Sequence, residues 1–420
     1  MVTQSQADAK GAAEQPTAAS PANDLNLNVL IEQLELLNAN PEALAAADAE
    51  TARQRILQLT RAVAVAIEEP FEAVQRLAYS PLPLITARVA QQHHIFATLV
   101  SAKKPVPFAT LQNATKLDES ILESILDYLG TQAMVNELTP GIFTATKLSN
   151  MMVVPLFQDA VTHFHDNCLP GFAALNSVLS QPEAKLNAFK TGQHTDQDFY
   201  TWMETHPVQQ GAFHRFMEAQ FASLPTWLDV VDFETEFCKY NSQSDVAFVD
   251  VGGGNGQQCI ALKEKFPHMP GRIINQDTPD VLSKALFADR VEKLSYDYFT
   301  EQRVKNARVY YFRQIMHNND DEACIRILQS QIPAMGPDSV IIIDDKTLPD
   351  DKPPQGTPGV EYTAGLSIAM KVMFDAQERR ETHWRELLSK AGLAIKGIRK
   401  FTKFHDSVII AMKSETLFCS

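Results

Sequence analysis

Residues 246–256 read VAFVDVGGGNG: an apolar run with an acid one place before its end, followed by glycines at 252, 253, 254 and 256. VAFVDV is short, rich in β-branched and aromatic residues and bounded by a glycine break, which predicts a buried strand. Gly252, Gly254 and Gly256 come directly after it and before a helix predicted around 256–266, where missing Cβ atoms let the backbone approach a ligand closely. A nucleotide-like ligand is the first expectation. A dinucleotide loop would read G-x-G-x-x-G, but three positions on from Gly254 stands Gln257, and the spacing present is D-x-G-x-G-x-G.

Outward from this loop, strand and helix alternate. GRIINQ (271–276), ARVYYFRQI (307–315) and SVIIIDD (339–345) are further β-rich runs, and helical patterns fall at 256–266, 278–288 and 320–332. That alternation predicts an α/β, Rossmann-like, doubly wound sheet. GLAIKGIRKF and DSVIIAMK, joined by a short link, read as a closing hairpin that places an antiparallel strand at the sheet edge.

The first half is different. Residues 1–24 are rich in Ala, Gln, Ser and Pro and read as a disordered tail with no secretory signal. Residues 25–155 carry helical spacing, a break at Asn40-Pro41, then short helices and a hairpin bending at Pro140-Gly141. Three helices and a hairpin predict a helical and winged-helix domain. Its recognition segment, LDESILESILDYLG, holds more acid than base, which opposes phosphate contact and favours packing or dimerisation. Residues 156–240 are predicted to be a helical connector and pocket region whose aromatics and methionines, Met217 among them, are mostly core. The sheet domain is placed at 241–415.

The chain has 420 residues with 37 basic and 51 acidic side chains, a formal charge of -14. Such a field repels nucleic acid and anionic membrane, and no apolar run approaches the roughly 20 residues of a membrane helix. Five scattered cysteines suggest neither a disulfide framework nor a metal site. A reducing, cytoplasmic setting and small-molecule or protein partners are the expectation.

The acidic glycine pattern resembles motif I of class I S-adenosylmethionine methyltransferases. By that resemblance Gly252 and Gly254 pass the cofactor, Asp277 accepts ribose hydroxyls, and Asp297 with Tyr298 meets the adenine. More narrowly, about residues 80–413 resemble the plant and fungal small-molecule O-methyltransferases of the caffeic-acid type, which dimerise through the N-terminal domain. In that family a strand ending in a basic residue and a histidine supplies the base; Arg313 and His317 stand there, with Asp345 and Glu378 matching the flanking carboxylates. A phenol with a pKa of about 10 needs such a base as its oxygen attacks a methyl group. The resemblance implies no metal, and it makes Met217 and neighbouring apolar residues candidates for the substrate pocket.

The chain departs from the family where Asn318-Asn319 replaces the usual Asp-Trp, where the first carboxylate is Asp rather than Glu, and where Lys346 stands beside it. These residues keep a second reading open. Some fungal proteins similar to this family are pericyclases, which bind S-adenosylmethionine without consuming it and act on polyketide-derived substrates. His163, His165, Arg313 or Lys346 would then polarise a substrate carbonyl. A regulatory scaffold is a third reading, opposed by the intact glycine loop and Asp277.

Overall fold

The structure, a computed structural model, describes residues 26–45, 49–219, 224–239, 241–285, 291–354, 356–357 and 359–414. The tail expected at 1–24 lies outside these residues. The chain forms two compact units, divided at Arg61 and Ala62.

In the first unit a helix spans Leu27–Ala39, its N-terminus capped by the Asn26 side chain, which accepts from the Val29 amide. It ends at Asn40-Pro41, where proline cannot continue the hydrogen-bond ladder. None of its residues is buried, and Leu27, Ile31 and Leu36 are exposed.

In the second unit the sheet domain is built on four strands, β4 (Val246–Val251), β5 (Arg272–Asp277), β7 (Val309–Arg313) and β8 (Val340–Leu348). They are joined by β6 (Val291–Ser295), β10 (Leu393–Lys400), β11 (Asp406–Lys413) and the two-residue β9 (Arg379–Arg380). The order is β10-β11-β8-β7-β4-β5-β6, with β9 pairing β8. Pairs from β6 through to β8 are parallel, and β11 runs antiparallel to both β8 and β10. The antiparallel strand therefore lies one place in from the edge, and β10 is the edge strand, because the closing hairpin inserts its second arm beside β8. β4 is buried at every position, the near-continuous apolar strand expected where helices cover both faces.

Chain order reverses between β4 and β7, and at such a switch point the carboxyl ends of the strands open a ligand crevice. β7 stops at Arg313, earlier than the predicted 315, because Gln314 adopts a left-handed φ of 53° that leaves the strand. The helix predicted at 278–288 is described over Pro279–Lys284.

Upstream, helices Ile95–Ala102, Phe108–Thr115 and Glu119–Thr131 pack with a small antiparallel sheet of β1 (Val106–Pro107), β2 (Val135–Thr139) and β3 (Ile142–Ala145). Leu122, Leu126 and Leu129 of the third helix are buried in this core, so most of its apolar stripe is packing, and Ile121 faces outward. The connector is helical, with a π-helical turn at His163–Cys168, and Phe199, Trp202 and Met203 bury there against Phe189 and Cys168. Phe221 lies outside the described residues.

Candidate active site

The glycine loop leaves β4 with Gly252, Gly254 and Gly256 all at positive φ. The Gly252 and Gly253 amides donate to Gln276 O at 2.8 and 3.0 Å, and the Gly254 amide donates to Asp277 Oδ2 at 2.9 Å. The end of β5 thus holds the loop in shape. The cradle is specific in where it has room. A Cβ at Gly253 would lie 2.2 Å from Asn275 Oδ1, whereas one at Gly254 would meet nothing within 4 Å. The open side of Gly254 is where a ligand can lie along the backbone. Tyr298 closes the loop's other flank: a Cβ on Gly252 would stand 3.8 Å from its ring and 2.7 Å from Ile315 Cδ1. Burial pushes the Tyr298 phenol up, as a ring screened from water requires. Asp297 is exposed and accepts from the Phe299 amide.

Ile315 opens the turn that carries His317. Met316–Asn318 form a 3-10 turn, and His317 Nδ1 lies 2.9 Å from Glu378 Oε1. Nδ1–H donates to the carboxylate in the neutral ring, which leaves Nε2 as the basic nitrogen. Burial works against a charged His317, but the carboxylates of Glu378 and Asp345 outweigh it and hold its pKa above the ordinary value. Asp345 is buried on β8 with neither carboxylate oxygen hydrogen-bonded among the described residues. Desolvation pushes its pKa up to about 7, against the pull of His317. His317, Asp345 and Glu378 are therefore brought together as a buried cluster.

The other expected residues fall elsewhere. Arg313 lies 3.5 Å from Asp344 Oδ2, and Tyr311 donates to the same oxygen at 2.6 Å. Lys346 faces away from Asp345, as adjacent strand residues do; its ammonium donates to Asp406 Oδ1 at 2.7 Å and Phe404 O at 2.9 Å. It is buried in that pair, and its charge acts against a charged His317. His165 bonds Asp166, which also holds Arg88. His163 is buried among Phe164, Phe213 and Phe216, accepts from Asn167 and has its pKa pushed down to about 4 by burial. Met217 is half-buried on the helix Pro207–Ala219. The helix Val360–Phe374 packs against both the His317 turn and the His163–Cys168 turn, which joins connector to site. Arg379, fully buried beside Glu378, was not singled out by the sequence; its neighbour Arg380 is exposed, and nothing local separates the two.

A parallel sheet ordered this way, with a glycine loop at its switch point and a histidine–carboxylate pair at the end of the next strand, defines a Rossmann-like group-transfer enzyme. Residues 230–394 match the family model described as the O-methyltransferase domain. The 16-O-methyltransferase bsc6 of Alternaria brassicicola is 30% identical over 390 residues, covering 91% of this chain and 96% of that protein. The solved structure of LepI in complex with SAM superposes with a TM-score of 0.79 at 26% identity, covering 91% of this chain and 99% of that one. A structure titled as a pericyclic reaction enzyme superposes at 0.78, with 25% identity and coverage of 92% and 100%. The chain belongs to the O-methyltransferase family.

Proposed function

We propose that this protein is an S-adenosylmethionine-dependent O-methyltransferase acting on a phenolic or enolic hydroxyl of a secondary metabolite, with His317 as general base. The observation that carries it is the junction at Gly252, whose Cα faces Ile315 two residues before His317, so that ligand loop and base turn share one wall. When bound, the cofactor supplies an electrophilic methyl group on a sulfonium. Gly252 and Gly254 give it backbone access, Asp277 offers a carboxylate to its ribose, and Asp297, Tyr298 and Arg313 line its remainder. His317 Nε2 takes the acceptor's proton, and Glu378 and Asp345 stabilise the imidazolium. Positioning supplies the larger share of the rate, with the base adding a factor of about 100 to 10,000. Met217 and His165 belong to the pocket in this reading.

We read residues 25–155 as the helical and winged-helix domain and assign it to homodimerisation. Support comes from Phe71, Val74 and Leu77, exposed on the single helix Pro70–Ala78, which has no buried residue.

A second reading is favoured by the likeness to the pericyclic reaction enzyme and by Asn318-Asn319: a pericyclase that binds S-adenosylmethionine without consuming it and acts on a polyketide-derived substrate. Incubation with methyl-labelled cofactor and phenolic or polyketide extracts decides between them. Label in a product supports methyl transfer; isomerised substrate with unconsumed cofactor sinks it.

A further inference from the structure

Arg379 is 1% exposed, and its nitrogens are all engaged. Nη1 donates to Met316 O at 2.7 Å, Nη2 to Asn319 O at 2.8 Å and Nε to Asp321 Oδ1 at 3.0 Å. Its guanidinium carbon sits 5.4 Å from the Trp384 ring centre. A charge taken this far out of water is tolerated only when its donors are used, and a planar fork can bridge two carbonyls that a point charge cannot. The two carbonyls are those flanking His317-Asn318, so the fork spans the turn that carries the imidazole.

Other bonds hold the same turn. Cys324 Sγ donates to Met316 O at 3.2 Å. From the strand side, the Asn318 and Asn319 side-chain Nδ2 groups donate to Gln314 O at 3.1 Å and Ile315 O at 2.8 Å, stapling a backbone in which Gln314 is left-handed. Glu378 and Arg379 are consecutive. One two-residue segment therefore binds the imidazole and the backbone beneath it.

We infer that Arg379 is the positioning residue of His317: its guanidinium bridges Met316 O and Asn319 O and so fixes the turn that keeps Nδ1 on Glu378 and Nε2 on the acceptor. This rests on the reading of His317 as base. Arg379 acts through that turn. The charged and titratable groups facing the pair are Glu378, Asp345 and Lys346 about His317, and Asp321, His383 and Cys324 about Arg379.

The test uses the full chain with Arg379→Lys, which keeps the charge and loses the fork, and two readouts. Turnover with labelled cofactor should fall about 10- to 100-fold at a nearly unchanged KM for the cofactor. The His317 imidazole titration, followed by NMR without cofactor and assigned by its loss in His317→Ala, should move down toward the ordinary value of about 6.5. Because charge is conserved, such a move reports lost geometry. Asp321→Asn removes the carboxylate that faces Arg379 Nε and Nη2 at 3.0 and 2.9 Å and His383 Nε2 at 2.7 Å, but leaves the guanidinium fork on the two turn carbonyls; it should shift both readouts the same way by less, and it carries the test where Arg379→Lys does not fold. An unmoved titration in the folded variants overturns the proposal, whatever turnover does. Absence of methyl transfer by the unaltered protein would instead defeat the methyltransferase reading, while the titration still decides the role of Arg379.

Discussion

His317 and Glu378 are 61 residues apart in sequence and 2.9 Å apart in space, with the Glu378 side chain almost wholly buried behind the ring. The pairing fixes which ring nitrogen is free to accept a proton. Removing the ring and removing its orienter should therefore differ. His317→Ala should reduce methyl transfer by about 100- to 10,000-fold. Glu378→Gln, which keeps a hydrogen-bond acceptor but no charge, should reduce it about 10- to 100-fold. Both should bind S-adenosylhomocysteine as the unaltered protein does, measured by calorimetry. An unchanged turnover in His317→Ala removes the base assignment.

Glu378 and Asp345 favour the charged imidazole against the opposing effect of burial, so His317 loses its proton above the ordinary histidine range. A base must be neutral to act. The acid limb of kcat/KM against pH should accordingly lie above about 6.5. In Glu378→Gln the largest favourable charge is gone, and the limb should move to lower pH. A limb that stays in place would mean that some other group is being titrated.

Neighbouring glycines in the loop should fail in different ways. Gly253→Ala puts a methyl group against Asn275 Oδ1 and Asp250, both held in the sheet, and should cost stability outright. Gly254→Ala meets no atom of the described residues within 4 Å; its φ of 57° costs only about 1–2 kcal/mol. Its methyl group instead enters the space we assign to the cofactor. Gly254→Ala should weaken cofactor binding at least about tenfold, about 1.4 kcal/mol, while melting close to the unaltered protein. Equal binding by Gly254→Ala would move the cofactor away from this side of the loop.

The exposed apolar residues of Pro70–Ala78 give the dimer assignment its test. Light scattering should report two copies. Phe71→Asp with Leu77→Asp should report one, with secondary structure retained, because both side chains are exposed in the single chain. Monomeric behaviour of the unaltered protein would remove the assignment.

The sheet and its loop were legible because their signals are local: VAFVDV needs only its own apolar run, and three alternate glycines need only their missing Cβ atoms. Lys346 stands beside Asp345 in sequence, and the strand period of two turns its side chain to the other face, onto Asp406, a partner that no local pattern records. The place of β11 inside the sheet depends on which arm of a hairpin pairs β8, which no local pattern records. Arg379 is the sharpest case. It shares its composition and neighbourhood with Arg380, and only the return of the chain beneath Met316–Asn318 makes one buried and the other exposed.

Asp345 carries a price in stability that its removal should reveal. Its two oxygens are buried without hydrogen bonds among the described residues, and desolvation raises its pKa to about 7, from the usual carboxylate range. A folded-state pKa above the unfolded one means that the folded protein holds the proton more tightly. Stability from that group is present below the unfolded value and is lost as pH rises toward the folded value. Asparagine, which never ionises, escapes this loss. Asp345→Asn should thus gain ~1–3 kcal/mol relative to the unaltered protein at pH 8 and little at pH 4, read from denaturant midpoints at the two pH values. Turnover should fall in the same variant, because the imidazolium loses one of its two carboxylates. A variant less stable at pH 8 would mean that the Asp345 charge is satisfied by His317, and that the pair is a net stabilising contact in the resting protein.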